Sequence, residues 1–270
     1  MHNRQSMKKS KLPLSELLNE AKVIVSQASE DGVLLRVIGG LGILATIYPF
    51  EDAVNGFFKL RVNEDQVADI DLVGYSKQSR QINDFFLKKL NFDKDEIVNA
   101  LFGDVRKIFY HPNNLYHVDI FLDKLVFNHE IDIKGRLELT DFQLNPADLL
   151  LSKLQIHYLN SKDIIDIIML MYVIDKISNG KWLERIITIL SNDWGFYYDA
   201  VTNLNLTLNS LNNDKRVNSV LTYHMINNAI SNIKYLLDKV EMAPKSNRWL
   251  IRSKIGTKKQ WWKNVEEVRR

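Results

Sequence analysis

The residues of this chain whose types and spacing speak most directly to chemistry are Asp69-Ile70-Asp71-Leu72. On a strand, alternate side chains share a face, so Asp69 and Asp71 point one way while Ile70 and Leu72 point into a core. At an effective dielectric near 20, two like charges about 4 Å apart repel by roughly 4 kcal/mol. A divalent cation removes that repulsion, and an oxygen-only pair suits Mg2+. A solvent-facing strand edge with both carboxylates simply hydrated is the other reading of an isolated D-x-D. A further acid stands in Val118-Asp119-Ile120-Phe121. If the two strands are neighbours, Asp69, Asp71 and Asp119 make a two-metal clamp for in-line attack on a phosphoryl group. Asp132, in Ile131-Asp132-Ile133, competes for the third place. Asp119 is preferred because its strand comes sooner after the D-x-D, and sequential elements are usually neighbours. Ile38-Gly39-Gly40 lies at a strand-to-helix junction, where glycines let backbone approach a phosphate at a helix amino terminus. A plain tight turn asks for the same residues.

These groups have to be held by a regular frame. Pro13-Leu14-Ser15 opens a helix with apolar positions Leu17, Leu18, Ala21, Val25 and Ala28, close to a 3.6-residue period. Strands are predicted over 33–38 and 67–73, with a helix starting at Leu41 between them. Residues 49–66 carry no clear period and read as a loop or short excursion. An amphipathic helix is predicted over 77–90. Strands at 105–110, 116–122, 125–133 and 136–139 follow, separated by turn residues. Asn145-Pro146 then starts a helix, Asn as cap and Pro at the first position. Helical periodicity continues over 147–159, 161–178, 181–191, 195–210, 215–240 and 247–268. The chain is thus predicted as α+β: a basic leader over 1–13, a sheet-containing domain over 14–145, and an all-helical domain over 146–270.

The chain has 270 residues, 46% of them apolar and 26% charged, a composition that excludes wholesale disorder. With no cysteine, disulfides, thiolate nucleophiles and Cys-ligated metals are excluded. Its most apolar stretch, Ile164 to Ile174, is interrupted by Asp166 and is too short to span a bilayer. No membrane association and a cytoplasmic location are expected. His111, His117, His129 and His157 have no H-x-x-x-H spacing, which gives a histidine metal site no support. His117 would share a strand face with Asp119, with a place on the surface as the expectation. From Lys245 to Arg270 there are nine Lys or Arg against Glu266 and Glu267, a local +7 in a chain of net +3. With Trp249, Trp261 and Trp262, that segment reads either as a nucleic-acid contact or as a terminal helix whose Trp residues pack on the body.

The order of these features is more specific than any one of them. Strand, Gly-Gly, helix, a D-x-D strand and then an apolar-D-apolar strand resembles the nucleotidyltransferase fold of the DNA polymerase beta superfamily. Asn145-Pro146-Ala147-Asp148-Leu149-Leu150-Leu151-Ser152-Lys153-Leu154, followed by Ser161-Lys162-Asp163-Ile164-Ile165-Asp166, resembles the lysine helix and K-D-x-x-D helix of its AbiEii-like branch. The likeness covers about residues 30–175.

It implies a small mixed sheet with flanking helices, followed by a helical domain. Gly39 and Gly40 would cradle a triphosphate. Asp69 and Asp71 would bind two Mg2+ ions, and Asp119 would complete the metal site and help to activate an acceptor hydroxyl. Lys153 or Lys162 would contact nucleotide phosphates, and Asp163 and Asp166 would orient that lysine or touch the nucleotide. As an ordinary amphipathic helix, the second segment would simply carry acids near its amino end, where the helix dipole favours them. The Arg and Thr common ahead of the D-x-D are replaced by Gln66-Val67-Ala68, so Lys59 or Arg61 would serve instead. The implied activity moves a nucleoside monophosphate from an NTP to an acceptor hydroxyl on RNA or tRNA, a protein or a small molecule. The branch includes toxins paired with antitoxin proteins. The alternative is a weakened relative that binds nucleotide, RNA or a partner without turnover.

Overall fold

The strand that carries the D-x-D, β2 (Asp69–Gly74), lies inside a mixed sheet, and its neighbours decide what its carboxylates meet. The computed structural model describes residues 12–61, 69–178 and 180–264. Among them, β1 (Leu35–Val37), β2, β5 (His117–Leu122), β4 (Arg106–Tyr110) and β3 (Asp93–Lys94) form one sheet in that order. β2 pairs antiparallel with β1 and parallel with β5, while β4 pairs antiparallel with both β5 and β3. The chain is therefore α+β, with a sheet-containing part followed by a helical one. Ile70 and Leu72 are fully buried, as the alternation requires.

Helices cover the sheet and extend beyond it. α1 (Leu14–Glu30) buries Leu17, Leu18, Ala21, Val25 and Ala28, the face expected of it. α2 (Gly39–Ile47) is apolar nearly all round and is buried accordingly. The span 49–66, expected as a loop, instead holds α3 (Glu51–Arg61), which buries Ala53, Phe57 and Leu60 at helical spacing. Acids in its first turn and Lys59 and Arg61 in its last suit the helix dipole. The remainder of the excursion, with Gln66, Val67 and Ala68, lies outside the described residues.

The helix expected over 77–90 is broken into a 3-10 turn (Ser76–Gln78), α4 (Ser79–Asp84) and a π turn (Phe85–Lys89), in which the Leu90 amide reaches back to Phe85. β3 and α5 (Glu96–Phe102) were not expected. Asp95 caps α5 by accepting from the amides of Ile97 and Val98 at 3.1 and 3.0 Å. The strand expected over 125–133 is a hairpin of β6 (Lys124–Val126) and β7 (Glu130–Asp132), turning through Phe127 to His129. Residues 136–139 form a 3-10 turn (Leu137–Leu139), not a strand, with Leu137 buried.

Asn145 caps α6 (Pro146–Leu154) as its residue type demands, accepting from the Ala147 amide at 3.0 Å. α7 (Ser161–Ser178) packs against α2, α3 and α6 and also against α9 (Trp194–Asn213) and α11 (Tyr223–Met242). Its Ile167, Ile168, Met169, Leu170 and Met171 are fully buried, and one continuous core runs from Leu17 to Val240. α8 (Trp182–Leu190) and α10 (Lys215–Val220) complete the packing. The helix expected over 215–240 is cut at Leu221, where Thr222 caps α11 through a 3.2 Å bond from the Met225 amide. The terminal helix, α12 (Asn247–Ile255), is shorter than expected. Gly256, at φ +57°, turns the chain into a 3-10 turn (Gly256–Lys258) and an irregular tail. No described helix is long and apolar enough to cross a membrane.

Candidate functional site

The parallel pairing of β2 with β5 sets Asp71 opposite Asp119 and Asp69 opposite His117. Asp69, Asp71 and Asp119 therefore stand together on one face. Asp132 does not join them: it lies on β7 in the separate hairpin, exposed, with its carboxylate on the Lys134 amide at 2.8 Å. His117 is 8% exposed, not a surface residue, and its Nε2 lies 3.3 Å from Asp69 Oδ2.

Gly39 closes over these acids. The Ile38 amide donates to the Asp71 carbonyl at 2.9 Å, which holds the start of α2 against β2. Gly39 has φ +62°, a left-handed conformation that glycine adopts without strain. A Cβ there would collide with Asp71 Oδ2. The first amides of α2 have no partner within the helix, and Gly39 at its start lies against the Asp71 carboxylate. Next to them, a Cβ on Gly40 would come within 2.8 Å of Arg61 Nη2.

Arg61 begins a buried ion cluster. Its Nε donates to Asp166 Oδ1 at 2.7 Å, while Lys153 Nζ reaches Asp166 Oδ2 at 2.8 Å and Asp163 Oδ1 at 2.9 Å. α7 presents its two acids one turn apart, and both hold Lys153. Burial disfavours the Lys153 charge, but Asp166 and Asp163 more than offset it and hold its pKa up at about 12. Lys162 stands in the first turn of α7, partly exposed. Lys59, the other substitute for the missing basic motif, is exposed on α3.

The sequence reading missed Arg106. Its Nε donates to Asp119 Oδ1 at 2.9 Å and Oδ2 at 3.1 Å, its Nη2 also pairs with Oδ2, and its guanidinium lies over the Phe121 ring. The bond to Asp119 holds the guanidinium pKa above its usual value, with the fields of Asp71 and Asp69 adding to it. The residue is diagonal to Asp119 across the β4–β5 ladder, where Ile108 is directly opposite. Only the register reveals that contact.

Asp71 has the least compensation. Its residue keeps some exposed surface, yet protein atoms crowd its carboxyl. Burial first, then Asp69 and Asp119, raise its pKa well above the usual carboxylate value, against the pull of Lys153 and Arg106. Among the described residues, its side chain accepts no hydrogen bond. Asp119, Asp163 and Asp166 are matched by Arg106, Lys153 and Arg61, whereas Asp69 has only the half-distant His117. An oxygen-only pair short of positive charge, under a glycine that leaves no room for a side chain, fits a hard divalent cation. No three His, Asp or Glu among the described residues converge with metal-holding geometry, and both Asp119 oxygens are turned to Arg106.

The basic tail is partly structural. Trp261 donates its indole N–H to Asp199 Oδ1 at 2.9 Å, Trp262 stacks on His157 at 3.7 Å, and Trp249 packs edge-on to Tyr197. Asp199 also accepts from His129 Nε2 at 2.7 Å and His157 Nδ1 at 2.9 Å. Arg248, Lys254, Lys258, Lys259 and Lys263 remain exposed, while Glu266, Glu267, Arg269 and Arg270 lie outside the described residues, as does most of the basic leader.

No protein-family model matches this chain, and no curated protein matches it either. One solved structure that aligns with it is an antigenic nucleotidyltransferase-like protein from Paracoccidioides brasiliensis, 12% identical, over 86% of this chain and 95% of that one, with a TM-score of 0.30. An overlay that loose supplies no argument about activity, and the functional reading rests on the residues themselves.

Proposed function

We propose that this protein is a nucleotidyltransferase that moves a nucleoside monophosphate from an NTP to an acceptor hydroxyl. The observation that carries the reading is the pair Asp69 and Asp71, short of positive charge, aligned with Asp119 and closed over by Gly39. Asp69 and Asp71 would hold Mg2+, which would supply charge neutralisation at the transferring phosphoryl group. Amides at the start of α2 would face phosphate oxygens, favoured by the helix dipole. Lys153 keeps its proton throughout, so it serves as a fixed cation and not as a base. Asp163 and Asp166 hold it in place, and Arg61, paired with Asp166, places its guanidinium beside Gly40. The acceptor oxygen forms a bond to the α-phosphorus as the bond to the β-phosphate oxygen breaks; pyrophosphate leaves and the hydroxyl proton passes to a carboxylate or water. Catalysis of this kind is mostly positioning and electrostatic stabilisation.

RNA, tRNA included, is the proposed acceptor, met by the exposed basic side chains of the terminal segment. The purified protein, incubated with Mg2+, each α-phosphate-radiolabelled NTP and total RNA, is expected to label RNA, and Asp69→Asn to abolish the label. RNA affinity should fall steeply with salt. Label on protein or on a small molecule instead would reassign the acceptor, and no label with any acceptor would remove the enzyme reading. The toxin role implied by the resemblance predicts growth arrest on expression, relieved by Asp71→Asn or by a co-expressed antitoxin. A second reading, nucleotide binding without turnover, is favoured by the Arg106–Asp119 pair, which occupies the third carboxylate. It predicts Mg-NTP binding with no pyrophosphate release.

A further inference from the structure

We infer that the site takes one divalent cation and not two, with the Arg106 guanidinium standing permanently at Asp119 in place of the second ion. The inference rests on the nucleotidyltransferase reading and concerns its metal stoichiometry.

A second ion would draw on Asp119 to complete its ligand set, and Asp119 is already paired with a fixed cation. Both its oxygens accept from Arg106, in a planar fork on a carboxylate whose side chain is only 6% exposed. Such charge-assisted bidentate pairs are among the stronger hydrogen-bonded contacts in proteins, and breaking one inside a partly buried site leaves a charge uncompensated. Mg2+ demands a near-octahedral set of oxygens at close range, and at Asp119 it would have only the lone pairs the fork leaves over, against the repulsion of the adjacent guanidinium. The Phe121 ring under the guanidinium holds it in place.

Charge leads to the same number. Asp163 and Asp166 are matched by Lys153 and Arg61. Of Asp69, Asp71 and Asp119, Arg106 compensates one, and a single divalent cation neutralises the other two. Arg106 also has something left to offer a substrate. Its side chain is 30% exposed, and among the described residues its Nη1 has no acceptor, so it can meet a phosphate oxygen while Nε and Nη2 stay on Asp119. The guanidinium then does at Asp119 what a second metal does elsewhere, without being exchangeable.

Ions can be counted directly, without turnover. Crystals of the full chain grown with Mn2+ and a non-hydrolysable NTP analogue should show one anomalous manganese peak per chain, between Asp69 and Asp71. Arg106→Gln should show two, the second at the freed Asp119. Two peaks in the unaltered protein, or one in Arg106→Gln, would overturn the inference while leaving the metal-dependent reading intact. No manganese at all would overturn that reading and the inference with it. Should Arg106→Gln fail to fold, the paired replacement Arg106→Gln with Asp119→Asn removes both charges together and keeps the local balance. Its Mn2+ affinity, followed by electron paramagnetic resonance in solution, should stay within about twofold of the unaltered protein. A loss of about tenfold or more would make Asp119 a ligand and sink the idea.

Discussion

Asp71 is where the site stores its electrostatic tension. Its folded-state pKa is raised, first by burial and then by Asp69 and Asp119. Above the ordinary carboxylate value near 3.8, the unfolded chain gives up this proton while the folded chain keeps it. Stability from this group therefore falls as pH rises from there, until the folded carboxyl has also ionised. In excess chelator, urea unfolding should show that decline as pH rises above about 3.8, and Asp71→Asn should flatten it. Added Mg2+ should restore stability at neutral pH in the unaltered protein and not in the variant. Identical pH profiles for the two would show that Asp71 carries no such tension. The D-x-D pair was legible in the sequence because strand alternation places both acids on one face. Arg106 was not, because its partner is diagonal across a ladder whose register no local pattern reveals.

At the scale of elements, the buried carboxylate of Asp166 is the joint. It is 0% exposed and binds Arg61 from α3 and Lys153 from α6 at once. Asp166→Ala would leave two enclosed cations without their shared counter-charge, a loss of about 3–5 kcal/mol. Equilibrium urea unfolding measures it, and a loss within experimental error would mean the cations escape to water. The K-D-x-x-D spacing was readable as two acids on one helix face, and Arg61 was named as a substitute cation, but its pairing with Asp166 was not legible because α3 was expected as a loop. Its buried face amounts to Ala53, Phe57 and Leu60, with Gly56 among them lowering helix propensity. In the same way the strand expected over 136–139 failed: Leu137 alone is buried there, too little to separate strand from turn. Where a cap residue was present, as at Asn145, the element start was legible. Asp95 gave the same signal for α5 and was passed over.

Over the whole molecule, Asp199 ties the terminal segment to the body. This buried acid accepts from His129 in the β6–β7 turn, His157 after α6 and Trp261 of the tail. Asn128 reinforces the join, exchanging bonds of 2.9 Å with the Lys263 backbone. Asp199→Ala leaves several enclosed donors without an acceptor, at about 1–3 kcal/mol for each that water cannot reach. The variant should unfold at lower urea and shift Trp261 fluorescence to the red. An unchanged midpoint and spectrum would show that packing alone holds the tail. The sequence offered two fates for these tryptophans, and packing on the body is the one observed. Nothing in their spacing pointed to Asp199, which lies on α9, far away along the chain.

The parallel pairing of β2 and β5 also has a consequence in time. β4 and β5 are joined by the short turn at Pro112-Asn113-Asn114 and can close early, whereas Asp71 and Asp119 meet only after a long loop has been gathered in. The carboxylate ledge is then among the last parts of the sheet to form. An ion that binds only the finished ledge stabilises the native state without stabilising the folding transition state. It should slow unfolding and leave the refolding rate alone. In stopped-flow urea experiments, Mg2+ should therefore lower the unfolding arm of the chevron while the refolding arm stays where it was.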